Sequence, residues 1–127
     1  MTSDDRPTLY SADLGRCAHL GAYAPGALAA VFAGALTDAG ATIVHRAMHA
    51  FPGTGMTCVL ILTESHAVLH TWPETGTVNI DIFSCSPRLK SLAAIEDLGR
   101  RLGAGAVVIQ EIVRADGRDH APARLRA

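Results

Sequence analysis

Ser65 stands between an acid and an imidazole in Glu64-Ser65-His66, and a second imidazole opens the segment His70-Thr71-Trp72-Pro73-Glu74. A serine hydroxyl becomes a useful nucleophile only with help from a base, an oxyanion stabiliser or local strain. The flanking runs Met56 to Leu62 and Ala67 to Thr71 are apolar and β-branched enough to be strands. Glu64-Ser65 then falls on a tight reversal, where backbone strain would favour attack of the Ser65 hydroxyl on the carbonyl before it. Thr57 starts the first strand and His70 lies towards the end of the second, so a hairpin would bring them together. The expectation is that Thr57 stabilises an oxyanion and His70 acts as base, both close to Ser65.

Read in order, Glu64-Ser65-His66, His70-Thr71-Trp72-Pro73-Glu74 and Asp81-Ile82-Phe83-Ser84-Cys85 resemble the signature of the small bacterial and archaeal S-adenosylmethionine decarboxylases. The resemblance runs from about Thr42 to Cys85, and it implies self-cleavage between Glu64 and Ser65 into chains 1–64 and 65–127. The Ser65 oxygen would take over the Glu64 carbonyl by an N-to-O acyl shift. Elimination would leave a dehydroalanine, and hydrolysis a pyruvoyl cofactor derived from Ser65. That group forms a Schiff base with the substrate amine and accepts the electrons released as carbon dioxide departs.

The same resemblance implies roles for individual residues. Thr57, eight residues before Ser65, and His70, five after it, would assist processing. Cys85 would be the proton donor, Phe51 would stack on an adenine together with His70, and Glu74 would belong to the substrate site. S-adenosylmethionine is then the leading substrate, in spermidine and other polyamine synthesis, and a homodimer of processed protomers the expected assembly. Gly15-Arg16-Cys17-Ala18-His19-Leu20 and Ser86 depart from the family pattern. They keep L-ornithine or L-arginine open as substrates, and a non-cleaving small-molecule-binding homologue as the alternative of another class.

Plainer readings account for other residues. His45 and His49, like His66 and His70, share a strand face at spacing four, but no cysteine or carboxylate set completes a metal site, and none is expected. Gly53-Thr54-Gly55 is followed by a strand rather than a helix, which argues against a phosphate loop. Cys17, Cys58 and Cys85 are odd in number and lack CxxC spacing, so neither a disulfide framework nor structural zinc is expected. Cys17 and Cys58 read as small buried hydrophobes. Trp72 reads as a packing residue, at a subunit contact if anywhere.

Acids and bases are interspersed at a net charge of −1, so nothing marks a nucleic-acid or anionic-membrane surface. The N-terminal MTSDDRPTLY has no apolar core of a signal segment, and no apolar run reaches spanning length, which leads to a cytoplasmic expectation. At 127 residues and 49% hydrophobic, the chain suits one domain, with a core of Ala, Val, Leu and Ile because aromatics make up only 5%.

Positioning the chemical residues requires a scaffold, and the periodicities supply one. A loose tail to about residue 10 precedes a strand near 12–20. Pro25-Gly26 opens a helix with Leu28, Val31, Phe32, Ala35 and Leu36 on one side, stopped at Gly40. Strands follow over Thr42 to His49, with Ile43 or Val44 marking the buried face, and then over Met56–Leu62, Ala67–Thr71 and Thr77–Ser84. Pro87 opens a second helix to Leu102, lined by Leu89, Leu92, Ile95, Leu98 and Leu102, before a last strand at Ala106–Val113 and a frayed remainder. The order predicts an α+β fold, a two-layer α/β sandwich with a mostly antiparallel sheet and two helices on one face. The other face, or an edge, is left for dimerisation.

Overall fold

A computed structural model of the chain describes residues 6–63, 65–86, 89–115 and 117. Six strands, β1 (Thr8–Gly15), β2 (Ile43–Ala50), β3 (Met56–Leu62), β4 (Ser65–Trp72), β5 (Thr77–Ser84) and β6 (Ala106–Val113), form one sheet in the order β2-β3-β4-β5-β1-β6. All pairings are antiparallel. Helices α1 (Pro25–Asp38) and α2 (Ser91–Leu102) pack on each other and on the sheet, giving the two-layer α+β sandwich that the element order predicts.

Alternation decides which face is covered. Cys58, Leu60, Leu69, Val78, Ile80 and Ile82 are fully buried, whereas their neighbours along each strand are not. From above, α1 contributes Leu28, Phe32 and Leu36, and α2 contributes Ile95, Leu98 and Leu102. Each such side chain is worth about 1.5–3 kcal/mol when taken from water. Phe32 is the one aromatic among the described residues that is fully buried, so the core is aliphatic, as the composition requires.

Four expectations need correction. The first strand runs over Thr8–Gly15, not 12–20, because only Ala12 and Leu14 are buried on it, which leaves a weak alternation to read, and a left-handed Arg16 (φ 51°) ends it. Residues 17–19 turn instead to close the end of α2: Ala18 N–H donates to Gly103 O at 3.1 Å and His19 N–H to Leu102 O at 2.9 Å. On β2 only Ile43 is partly covered and Val44 is 62% exposed, since β2 is an edge strand with a bulge after Ile43. Helix α2 starts at Ser91, and Leu92 points to solvent while Ser91, Ala94, Ile95 and Leu98 form its inner stripe. The expected opening at Pro87 and the C-terminal remainder from 118 lie outside the described residues, as do residues 1–5 of the tail.

Candidate active site

The β3–β4 hairpin carries most of the chemical residues. Its register runs from Leu62 opposite Ser65 to Thr57 opposite His70, and Thr63 N–H donates to Thr42 O at 3.1 Å to hold the reversal against the start of β2. Glu64 lies outside the described residues. Ser65 heads β4, half-buried, and shares the helix-covered face with Ala67 and Leu69. A small cavity of about 20 Å³ there is lined by Ser65, Ser84, Ser86 and Thr42 among others.

One step beyond the last β4–β5 pair, His66 with Phe83, the register sets Ser84 across from Ser65. Ser84 is buried, and its Oγ accepts the Ser86 N–H at 3.0 Å, an ST-turn that fixes the backbone around Cys85. Cys85 places a half-buried thiol, outside any disulfide, at this end of the sheet. Ser65 and the loop bearing Cys85 therefore meet at one end of the β4–β5 pair.

Thr57 and His70 meet at the opposite end, with Thr57 Oγ1 2.8 Å from His70 Nδ1. Five strand residues separate His70 from Ser65, about 16 Å at ~3.3 Å each. The odd offset also puts their side chains on opposite faces. The hairpin thus joins Thr57 to His70 and keeps both away from the Ser65 of the same chain.

Around His70 lies a much larger cavity, about 760 Å³, lined by Phe51, Thr57, His70, Trp72 and Glu74. The loop that delivers Phe51 closes through Phe51 N–H to Gly55 O at 2.9 Å, with Gly53 at φ 70°. Gly55 cannot be another residue without movement, because a Cβ there would sit 1.7 Å from Thr71 O. Thr71, buried, accepts the Met56 N–H on its Oγ1 at 3.0 Å. The Phe51 ring rests edge-on against His49 with centroids 4.6 Å apart, and shares the cavity rather than a ring contact with His70.

Trp72 is no packing residue within this chain, being 51% exposed. Its Nε1–H donates to Asn79 Oδ1 at 2.6 Å, and the Asn79 amide donates to Asp13 Oδ1 at 2.7 Å. Sequence reasoning missed Asn79, Asp13 and Ser84. Asn79 and Asp81 alternate with buried Val78, Ile80 and Ile82 and so share the less buried face of β5, but their partners depend on β1 lying next to β5.

Cys17 and Cys58 are buried, and burial pushes both thiols above the ordinary range, partly offset at Cys58 by the Arg46 charge. Among the described residues no three His, Cys, Asp or Glu side chains gather as a metal site, and no helix is long and apolar enough to cross a membrane.

An antiparallel sheet with two helices on one face, a serine at a hairpin reversal and a thiol loop beside it define a class of small α+β protein seen elsewhere. The structure titled adenosylmethionine decarboxylase from Aquifex aeolicus VF5 shares the fold, with a TM-score of 0.75 over 93% of this chain and 98% of that one at 21% identity. Residues 8–115 match the S-adenosylmethionine decarboxylase family, and the chain belongs to it. An S-adenosylmethionine decarboxylase proenzyme of Pseudomonas aeruginosa is 37% identical over 83 residues, 65% of this chain and 52% of that protein. Proenzymes of Shouchella clausii (36% over 87 residues, 68% and 67%) and Thermotoga petrophila (39% over 74 residues, 58% and 57%) are similar too. The matched stretch spans about half the length of the Pseudomonas relatives.

Proposed function

We propose that this chain cleaves itself between Glu64 and Ser65 and then decarboxylates S-adenosylmethionine with a pyruvoyl group made from Ser65. The observation that carries the reading is the meeting of Ser65, at the head of β4, with the loop that bears Cys85. Family membership and the proenzyme relatives support it.

In processing, the Ser65 hydroxyl attacks the Glu64 carbonyl carbon and the bond to the Ser65 nitrogen breaks, leaving an ester and a free amine. A base takes the Ser65 α-proton, the Cβ–O bond breaks, and Glu64 keeps a carboxylate. Water then replaces the nitrogen, which leaves as ammonia. The residues around Ser65 fit the product: Ser84 and Ser86 line its cavity with hydroxyls, which can donate to carbonyl oxygens. Such a carbonyl group supplies an electron sink for decarboxylation. Cys85 gives its thiol proton to the carbon that loses the carboxylate, setting the product rather than a dead-end protonation.

The larger cavity suits the adenosyl end of the substrate. Its volume of about 760 Å³ falls in the range of small-ligand sites, Phe51, His70 and Trp72 offer ring faces, and Glu74 offers an acceptor for hydroxyls. Ornithine and arginine would leave the rings unused. Both this cavity and the Thr57–His70 pair lie about 16 Å along the strands from Ser65. That separation supports a two-fold homodimer in which the Ser65 end of one sheet lies near the cavity of the other.

The test is the intact mass of denatured protein with and without a carbonyl-trapping reagent, followed by assay of carbon dioxide release from S-adenosylmethionine, ornithine and arginine. Two fragments meeting at Glu64 and Ser65, the second with a trappable carbonyl, and release from S-adenosylmethionine alone are expected. A chain that stays whole overturns the reading in favour of a binding homologue. Release from an amino acid lacking the adenosyl group overturns the substrate.

A further inference from the structure

Trp72 is the only tryptophan of the chain, and half of it faces solvent beside the large cavity. An exposed indole is ordinarily free to change rotamer, but this one is tethered at its polar edge. Its Nε1–H donates to Asn79 Oδ1 at 2.6 Å. The orientation of that amide is in turn dictated, because Asp13 Oδ1 accepts from Asn79 Nδ2 at 2.7 Å and a carboxylate can only accept. The relay crosses three neighbouring strands, with Asn79 directly opposite Asp13 on β1 and opposite His70 on β4. A charged terminal acceptor makes the amide bond a strong one, and the polarised amide strengthens the bond to the indole.

We infer that Asn79 and Asp13 are positioning residues that hold Trp72 as a fixed aromatic wall of the cavity shared with Phe51 and His70, ready for a flat ring or a sulfonium cation. The inference rests on the adenosyl reading of that cavity. The indole has no polar group left to satisfy, so its remaining surface is purely a face for stacking or cation–π contact. Fixing it beforehand removes rotamer entropy that binding would otherwise cost.

The single tryptophan makes the test direct. In processed full-length enzyme, Asn79→Ala should lower the Trp72 fluorescence anisotropy and raise KM for S-adenosylmethionine about tenfold, with kcat falling less than about threefold. Asp13→Asn, which keeps an acceptor for the amide, should restore most of the wild-type values, and Asp13→Ala should behave like Asn79→Ala. Thermal unfolding checks that each variant folds, and if Asn79→Ala does not, Asp13→Ala carries the test. A looser Trp72 with KM unchanged overturns the inference, as does an unchanged anisotropy. 5′-Methylthioadenosine, which has the adenosyl sulfur but no α-amine or carboxylate, separates this from the function itself. If the wild type releases no carbon dioxide yet this probe shifts Trp72 fluorescence, and tenfold more weakly after Asn79→Ala, the positioning stands without the activity.

Discussion

Thr57 Oγ1 and His70 Nδ1 are 2.8 Å apart, as directly opposed partners on β3 and β4. One imidazole nitrogen is therefore committed to the scaffold, and Nε2 alone is left for a reacting group. If this pair assists cleavage, Thr57→Val, which keeps the shape and loses the hydroxyl, should slow cleavage of freshly refolded precursor by about tenfold or more. Thr57→Ser should stay within about threefold. A gel time course decides, and equal rates for Val and Thr would remove Thr57 from the chemistry.

Ser65→Ala deletes the nucleophile without disturbing β4, whose buried face is carried by Ala67 and Leu69. The variant should remain one chain by mass and release no carbon dioxide. Decarboxylation by the uncut variant would refute the origin of the cofactor.

Most of this fold is legible in the sequence because alternation is strong on the central strands β3, β4 and β5. Val78, Ile80 and Ile82 alternate with Thr77, Asn79 and Asp81, and all three are fully buried. The pattern fails at β2, which lies at the edge, and at β1, whose inward positions include small Ala12. At the site, the meeting of Thr57 with His70 follows from a hairpin, and so, by parity, does their separation from Ser65. What no local pattern contains is the insertion of β1 between β5 and β6, which creates the contact of Asn79 with Asp13.

The three thiols should separate by reactivity. Iodoacetamide on native protein should modify half-buried Cys85 first, with Cys17 and Cys58 reacting only on unfolding. Burial raises the folded-state pKa of Cys17 and Cys58, so the unfolded chain loses these protons first as pH rises. Their contribution to stability is therefore complete below the ordinary thiol range and is lost progressively above it. Urea unfolding at pH 8 and pH 10 checks this, and a Cys58→Ala variant should show a flatter pH dependence. An equally steep one would deny Cys58 that part.

Cys85→Ala should still cleave, since the thiol acts after processing in the proposed scheme. Its turnover should fall by about a hundredfold or more, and carbonyl trapping should show cofactor lost during turnover as protons go to the wrong carbon. Stable turnover at the wild-type rate would leave Cys85 without a donor role.

The distance from Ser65 to His70 gives the proposed dimer its sharpest consequence. Within one chain about 16 Å of strand and the thickness of the sheet lie between them, and no side-chain rotation closes such a gap. A two-fold axis that sets the Ser65 end of one sheet against the His70 end of the other would let each site take Ser65 from one chain and His70 from the other. Ser65→Ala and His70→Ala chains should each fail to cleave alone. Unfolded together in equal amounts and refolded, half the dimers should be mixed, and one of the two sites in each should be complete. About one chain in four should then cleave, and every cleaved chain should be the His70→Ala one, because it alone keeps Ser65. Mass spectrometry distinguishes the two by the substituted residue. A mixture as inert as its components would mean that Ser65 and His70 act from the same chain or not together at all, and the shared site would be abandoned.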